Sequence, residues 1–159
     1  MTNIRKCASE GLHAGDTFSI TRKFTEEDML AYLPISRDYN PVHLEDRWAE
    51  VKGFKDRVCH GLLVAGMVTE IGGQIGWLAS GMNFRFIKPV YFGDTITLTF
   101  TVVDIDDRLR AKGKGTYVNQ HGVTVLECDI FGILPGAEDQ EILRKMMEEG
   151  DPTNGIAGY

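Results

Sequence analysis

The spacing of apolar positions changes several times along the chain. Residues 16–24 set Phe18, Ile20 and Phe24 against polar Ser19, Thr21 and Lys23, the period-two pattern of a half-buried strand. Thr25 then stands where a helix cap belongs. Asp28 three residues on makes a weak capping box, and Glu26 and Glu27 suit the positive end of the helix dipole. Met29, Leu30 and Leu33 give that short helix an apolar side, and Pro34 is expected to stop it. Residues 38–43 are expected to be irregular, because Asn40-Pro41 is a turn signal and the residue before a proline is pushed out of the helical region. A short helix is expected over residues 43–51, ended by Gly53.

Residues 61–71 are the most apolar run, with Leu62, Leu63, Val64, Ala65, Met67, Val68 and Ile71. The run is short for a membrane span and apolar on nearly all sides, so it reads as a helix buried in the middle of the domain. Gly61, Gly66, Gly72 and Gly73 would each weaken a helix interior by about 1 kcal/mol, which points to close approach of another backbone or of a ligand. Gly72-Gly73-x-x-Gly76 is read as the end of that helix. Strands follow over residues 82–87, 95–103, 109–118 and 123–134. Lys88-Pro89-Val90 interrupts the first, and Asn119-Gln120-His121-Gly122 turns the last pair into a hairpin. Thr95, Thr97, Thr99 and Thr101 alternate with Ile96, Leu98, Phe100 and Val102 as the polar face of a strand. A polar helix over residues 138–149 places Ile142, Leu143, Met146 and Met147 on one side. Residues 150–159 read as loosely ordered.

Helices and strands segregated in this way predict an α+β fold, one antiparallel β-sheet wrapped around one long apolar helix. The 159 residues form a single domain, of which residues 137–159 are a C-terminal helix and tail. A net charge of −6 and a pI near 5.2 argue against a nucleic-acid partner. The one dense basic stretch, residues 108–114, is read as a solvated turn in preference to a phosphate contact. Cys7, Cys59 and Cys128 are odd in number with no close pair, so a disulfide framework or thiolate metal site is not expected. With no signal-like start and no window of 18 apolar residues, neither export nor a membrane is expected, and a cytoplasmic setting is the default.

The candidate chemistry lies between the first helix and the apolar one. Asp38 and His43 stand five residues apart in the turn, and Gly61 opens the apolar helix. A proton acceptor, a proton donor and a backbone N–H are the parts needed for acid–base work beside a polarised carbonyl. Taken singly, Asp38 is an ordinary turn residue and His43 an ordinary helix-start histidine. His60 reads as a structural side chain at the helix entry, bonding backbone. Neighbouring Cys59 reads as a buried small apolar residue, because adjacent residues seldom face one another as nucleophile and base. His13 and His121 lie in loops, and nothing along the sequence groups the four histidines at metal-ligand spacing.

Asp38-x-Asn40-Pro41-x-His43, then Gly53-Phe54, then His60-Gly61, and Phe84-x-x-x-x-Pro89-Val90-x-x-Gly93-Asp94 together resemble the MaoC-like (R)-specific enoyl-CoA hydratases. The likeness covers roughly residues 18–134. It implies a hotdog fold, a homodimer or dimer of dimers, and reversible addition of water to a trans-2-enoyl thioester of CoA or acyl carrier protein, with no cofactor and no metal. By the same resemblance Asp38 and His43 are the catalytic pair gripping one water, and Asn40 orients the water or the pair. Gly61 is the oxyanion donor, and Lys88-Pro89-Val90 belongs to the mouth where the CoA chain enters. Two positions depart from the family pattern. Arg37 stands where Gly is usual, implying either a different turn or a cation near the acyl pocket. Val64 stands where some members have a Ser that supports the aspartate. An acyl-CoA thioesterase or a non-catalytic acyl-CoA binding module on the same fold are the alternatives.

Overall fold

A computed structural model of the chain describes residues 4–150. Helix α1 (Ile4–Glu10) leads into strand β1 (Thr17–Lys23), then helices α2 (Glu26–Ser36) and α3 (Asp46–Val51), with a single 3-10 turn, Pro41–His43, between them. Helices α4 (Gly61–Ala65) and α5 (Met67–Ile75) follow, then strands β2 (Leu78–Phe86), β3 (Thr95–Ile105), β4 (Arg110–Asn119) and β5 (Thr124–Ile133), and helix α6 (Ala137–Glu148). The strands form one antiparallel sheet in the order β1-β3-β4-β5-β2.

Strand alternation builds the core. Ile96, Leu98, Phe100 and Val102 of β3, Ala111 and Tyr117 of β4, and Leu126, Cys128 and Ile130 of β5 point inward. They join Val64, Ala65, Met67, Val68, Ile71 and Ile75 of α4 and α5 in one buried cluster. The threonines of β3 take the other face, where Thr101 and Thr97 bond the hydroxyls of Thr17 and Thr21 on β1 at 2.9 and 2.8 Å. An antiparallel sheet carrying an apolar helical segment is the α+β hotdog arrangement expected from the sequence.

Several expectations need correction. The apolar helix is not one rod: it breaks at Gly66, which bridges α4 and α5. Thr69 returns its N–H to the Gly66 carbonyl, while the Ala65 carbonyl accepts the Tyr117 hydroxyl at 2.8 Å inside the core. Burial holds that phenol well above its usual range, so it stays a donor. Gly72 and Gly73 lie inside α5 and have open space where a Cβ would be, so no backbone approaches them. Gly76, with φ of 79°, ends the helix.

Pro34 does not stop α2 either. It lies three residues from the end, where its missing N–H removes one bond, and the helix closes only when Arg37 N–H reaches the Leu33 carbonyl at 2.8 Å. Thr25 and Asp28 complete a full capping box. The helix expected over residues 43–51 splits into the 3-10 turn and α3. Helix α1 carried no expectation; Ala8 sinks into the core and the helix packs on α5 and α6. On α6, Leu143 is buried but Ile142 faces out. The basic stretch is mostly the start of β4, where Arg110 pairs with Asp106 and Lys112 with Asp129. The loosely ordered tail expected beyond residue 150 lies outside the described residues.

Two backbone details generate tests. On β4, Gly113 leaves room for the ring of Phe100, which is pinned edge-on to Trp77 with ring centres 5.6 Å apart. A Cβ at Gly113 overlaps that ring, so Gly113→Ala destabilises by about 1–3 kcal/mol in urea unfolding. Arg37 sits in the left-handed region at φ 54° and ψ 24°. That conformation costs a non-glycine residue about 1–2 kcal/mol, against roughly 0.5–1 kcal/mol of extra chain entropy for glycine. Arg37→Gly therefore stabilises by about 0.5–1 kcal/mol in the same measurement.

Candidate active site

The turn between α2 and α3 is shaped by its own side chains. Asp38 Oδ1 accepts the Asn40 N–H at 3.2 Å, and Asn40 Oδ1 accepts the Val42 N–H at 3.2 Å, capping the 3-10 turn. The His43 N–H closes back on the Asn40 carbonyl at 3.0 Å. Asn40 thus meets Asp38 through its main-chain N–H, while its amide oxygen serves the turn. Arg37 adopts the left-handed conformation that glycine takes without strain. Its side chain is exposed and does not line the cavity described below.

The turn is held from outside by an extended segment. Val58 N–H donates to the Val42 carbonyl at 3.2 Å and Cys59 N–H to the Val90 carbonyl at 2.8 Å, so this short stretch is clasped between the turn and the end of the sheet. The Val58 carbonyl also accepts the His43 Nδ1–H at 2.8 Å. A carbonyl only accepts, so the proton sits on Nδ1 and Nε2 carries a lone pair. That lone pair faces Asp38 Oδ2 at 3.6 Å.

His43 is buried and Asp38 half exposed at its side chain. Burial pushes the His43 imidazole below its ordinary range; the neighbouring His60 ring adds to this, while the Val58 carbonyl and the Asp38 carboxylate oppose it. At neutral pH His43 is therefore a neutral base, and its Nε2 stands close enough to Asp38 Oδ2 for one water lying beside both atoms to donate a hydrogen to each.

His60, immediately before α4, is buried more deeply than His43. Its Nε2–H donates to the Asp38 main-chain carbonyl at 2.9 Å, as expected of a backbone-bonding entry residue. Its ring stacks on that of His43, with centres 3.8 Å apart and planes at 26°. Sequence spacing gave no sign of this pairing: Asp38, His43 and His60 bring ligand-type atoms within 4.8 Å of one another, although the histidines are far apart along the chain. Cys59 is buried and its thiol is pushed up to about 12, the opposite of an activated nucleophile.

Gly61 is the first residue of α4, where an N–H has no acceptor within its own helix. Gly61 and His43 both line a cavity of about 290 Å³. Its walls are Phe54, Val64, Val125 and Leu126, and Lys88, Pro89 and Val90 stand at one side. Asp38 is not among these walls. The ring of Phe86 lies so close over Gly61 that a Cβ there would come 2.7 Å from it. That contact and the Val58 carbonyl were invisible in the sequence, because both arise from strands and loops far along the chain.

Residues 13–124 match the family described as MaoC like domain. The (R)-specific enoyl-CoA hydratase of Rhodospirillum rubrum is 31% identical over 130 residues, 79% of this chain and 90% of that protein. A mitochondrial 3-hydroxyacyl-(acyl-carrier-protein) dehydratase of Arabidopsis thaliana is 38% identical over 90 residues, 54% of this chain and 52% of the relative, so the match spans about half of that protein. Among solved structures, the R-hydratase PhaJ1 from Pseudomonas aeruginosa, in its unliganded form, is 26% identical and covers 80% of this chain and 84% of its own, with a TM-score of 0.72. The (R)-hydratase from A. caviae involved in PHA biosynthesis is 25% identical with a TM-score of 0.73, covering 79% of this chain and 99% of its own. The turn, the helix entry and strands β1 to β4 lie within the matched segment, and the chain belongs to the MaoC-like domain family.

Proposed function

We propose that the chain is a hydro-lyase, an (R)-specific enoyl-CoA hydratase that runs equally as a 3-hydroxyacyl thioester dehydratase. The observation that carries this reading is the lone pair of His43 Nε2 facing the Asp38 carboxylate, with the tautomer fixed by Val58. A water gripped between two acceptors donates a hydrogen to each. Its oxygen bonds C3 of the enoyl thioester with one hydrogen still attached, and the pair takes the water's other proton and delivers it to C2 on the same face, which restores both acceptors. The net change is addition of H and OH. Negative charge that gathers on the thioester oxygen is met by the Gly61 N–H, and one such donor is worth about 3 kcal/mol. Asn40 is the positioning residue that steers Asp38 through its main-chain N–H.

Water and side chains supply every part of this step, so no metal or cofactor takes part. The apolar cavity suits an acyl chain, with Lys88 at its side for the polar end of a CoA or acyl-carrier-protein thioester. The enzyme acts as a homodimer: β2 is an edge strand carrying Leu78, Met82 and Phe86 exposed, and apolar side chains on an unpaired edge favour a second copy. The three free cysteines suit the reducing cytoplasm. Among the described residues no helix is long and apolar enough to cross a membrane.

Crotonyl-CoA followed by loss of enoyl absorbance tests the reading directly, and the expected product is the (R)-3-hydroxy thioester. Asp38→Asn and His43→Gln each lower kcat by about 10²–10⁴-fold with an unchanged circular dichroism spectrum. Release of free CoA thiol with the enoyl group intact overturns the reading in favour of a thioesterase. Binding that survives both substitutions, without turnover in the intact protein, overturns it in favour of a binding module.

The depressed His43 pKa fixes the sign of two pH effects. Protonation of the folded protein lags behind that of the unfolded chain. Stability is therefore full above about pH 6.5, the ordinary histidine value, and falls as pH drops from there toward the folded pKa. His43→Gln removes that loss in thermal melts taken across pH. The neutral base persists below the ordinary value too, so the acidic limb of kcat/KM lies below about pH 6.5.

A further inference from the structure

His60 has no role in the chemistry above, yet it meets both the main chain of Asp38 and the ring of His43. A residue at the start of a helix ordinarily turns its side chain onto the first N–H groups of that helix, and His60 makes no such bond. Its Nε2–H reaches back to the Asp38 carbonyl, and its ring covers that of His43. Tyr32 of α2 also meets the His60 ring, edge-on with centres 5.4 Å apart. Nδ1 of His60 is buried and has no hydrogen-bond partner among the described residues. A side chain only 1% exposed that leaves its own helix uncapped and one nitrogen unserved is explained by what it holds in place.

We propose that His60 is a positioning residue that sets the spacing of Asp38 and His43 from a single ring. The proposal rests on the hydratase reading. The two contacts do separate jobs. The hydrogen bond fixes the main chain of Asp38, whose carboxylate is otherwise tethered only by its local turn. The stack fixes the plane of the His43 ring about its Nδ1 bond to Val58, and that plane decides whether Nε2 faces Oδ2. The ring also keeps solvent from one face of His43. The titratable groups facing His43 are the Asp38 carboxylate and His60 itself, and the Cys59 thiol, which stays neutral, and Lys88 line the same cavity.

Two variants separate the jobs. His60→Phe keeps a flat ring over His43 but cannot hold the carbonyl. His60→Gln can donate to the carbonyl but offers no ring. Both lower kcat on crotonyl-CoA by roughly 100-fold, the loss that a displacement of about 1 Å produces, with KM little changed. Both variants remove the neighbouring imidazole and move the acidic limb of kcat/KM up toward the ordinary histidine value, and His60→Gln, which also lets water onto His43, moves it further. Long-range ¹H–¹⁵N spectra read the His43 tautomer and titration without any turnover, and they show the same upward shift, larger in His60→Gln. If either variant fails to fold, Tyr32→Leu loosens the same ring and produces a smaller loss of kcat in the same direction. Wild-type kcat, pH limb and His43 spectra in the variants overturn the proposal. An intact protein inactive on crotonyl-CoA overturns the hydratase reading instead, and the spectra then still decide whether His60 holds His43.

Discussion

Burial of α4 and α5 against the sheet determines where the chain re-enters the domain after the long turn region, and the site takes its position from that entry. Ile71, Ile75 and Met67 are wholly enclosed, and the Tyr117 hydroxyl ties the break at Gly66 to β4. These contacts leave the apolar helices no freedom to slide along the sheet. His60 and Gly61 stand at their leading end, so an imidazole and a backbone N–H are carried to a defined place by packing that has no chemistry of its own.

The turn bearing Asp38 and His43 is of the opposite kind. Its helix α2 exposes Leu30 and Ile35, and most of its bonds are local ones between neighbouring residues. Only a few contacts tie it to the rigid core: Val58 with Val42 and His43, and His60 with Asp38 and His43. Local bonds set the shape of the turn, and these few tertiary ones set its placement. A division of this sort lets one rigid scaffold carry loops with different functional groups.

The electrostatics follow from the same arrangement. Two imidazoles are stacked out of water, and each has a nitrogen committed to a main-chain carbonyl. The Asp38 side chain, by contrast, stays half in solvent. His43 Nε2 lies 3.6 Å from Asp38 Oδ2. The cavity that His43 lines is walled mostly by apolar side chains, with Lys88 among the lining residues.

Much of this was legible in the residues alone. Alternation in β1 and β3 and the capping box of α2 are short-range patterns, and the structure keeps them. The multipart motif pointed to Asp38, Asn40, His43 and Gly61, although it fixed only their order along the chain. What the sequence could not tell is how distant pieces meet. The split at Gly66 lies where the Ala65 carbonyl meets a phenol delivered by β4. The crowding of Gly61 by Phe86 and the stack of His60 on His43 depend on register between strands and loops. Local composition sets which elements form and which groups are available; only tertiary packing decides which lone pair faces which oxygen, because that is a matter of ångströms between residues the chain does not place side by side.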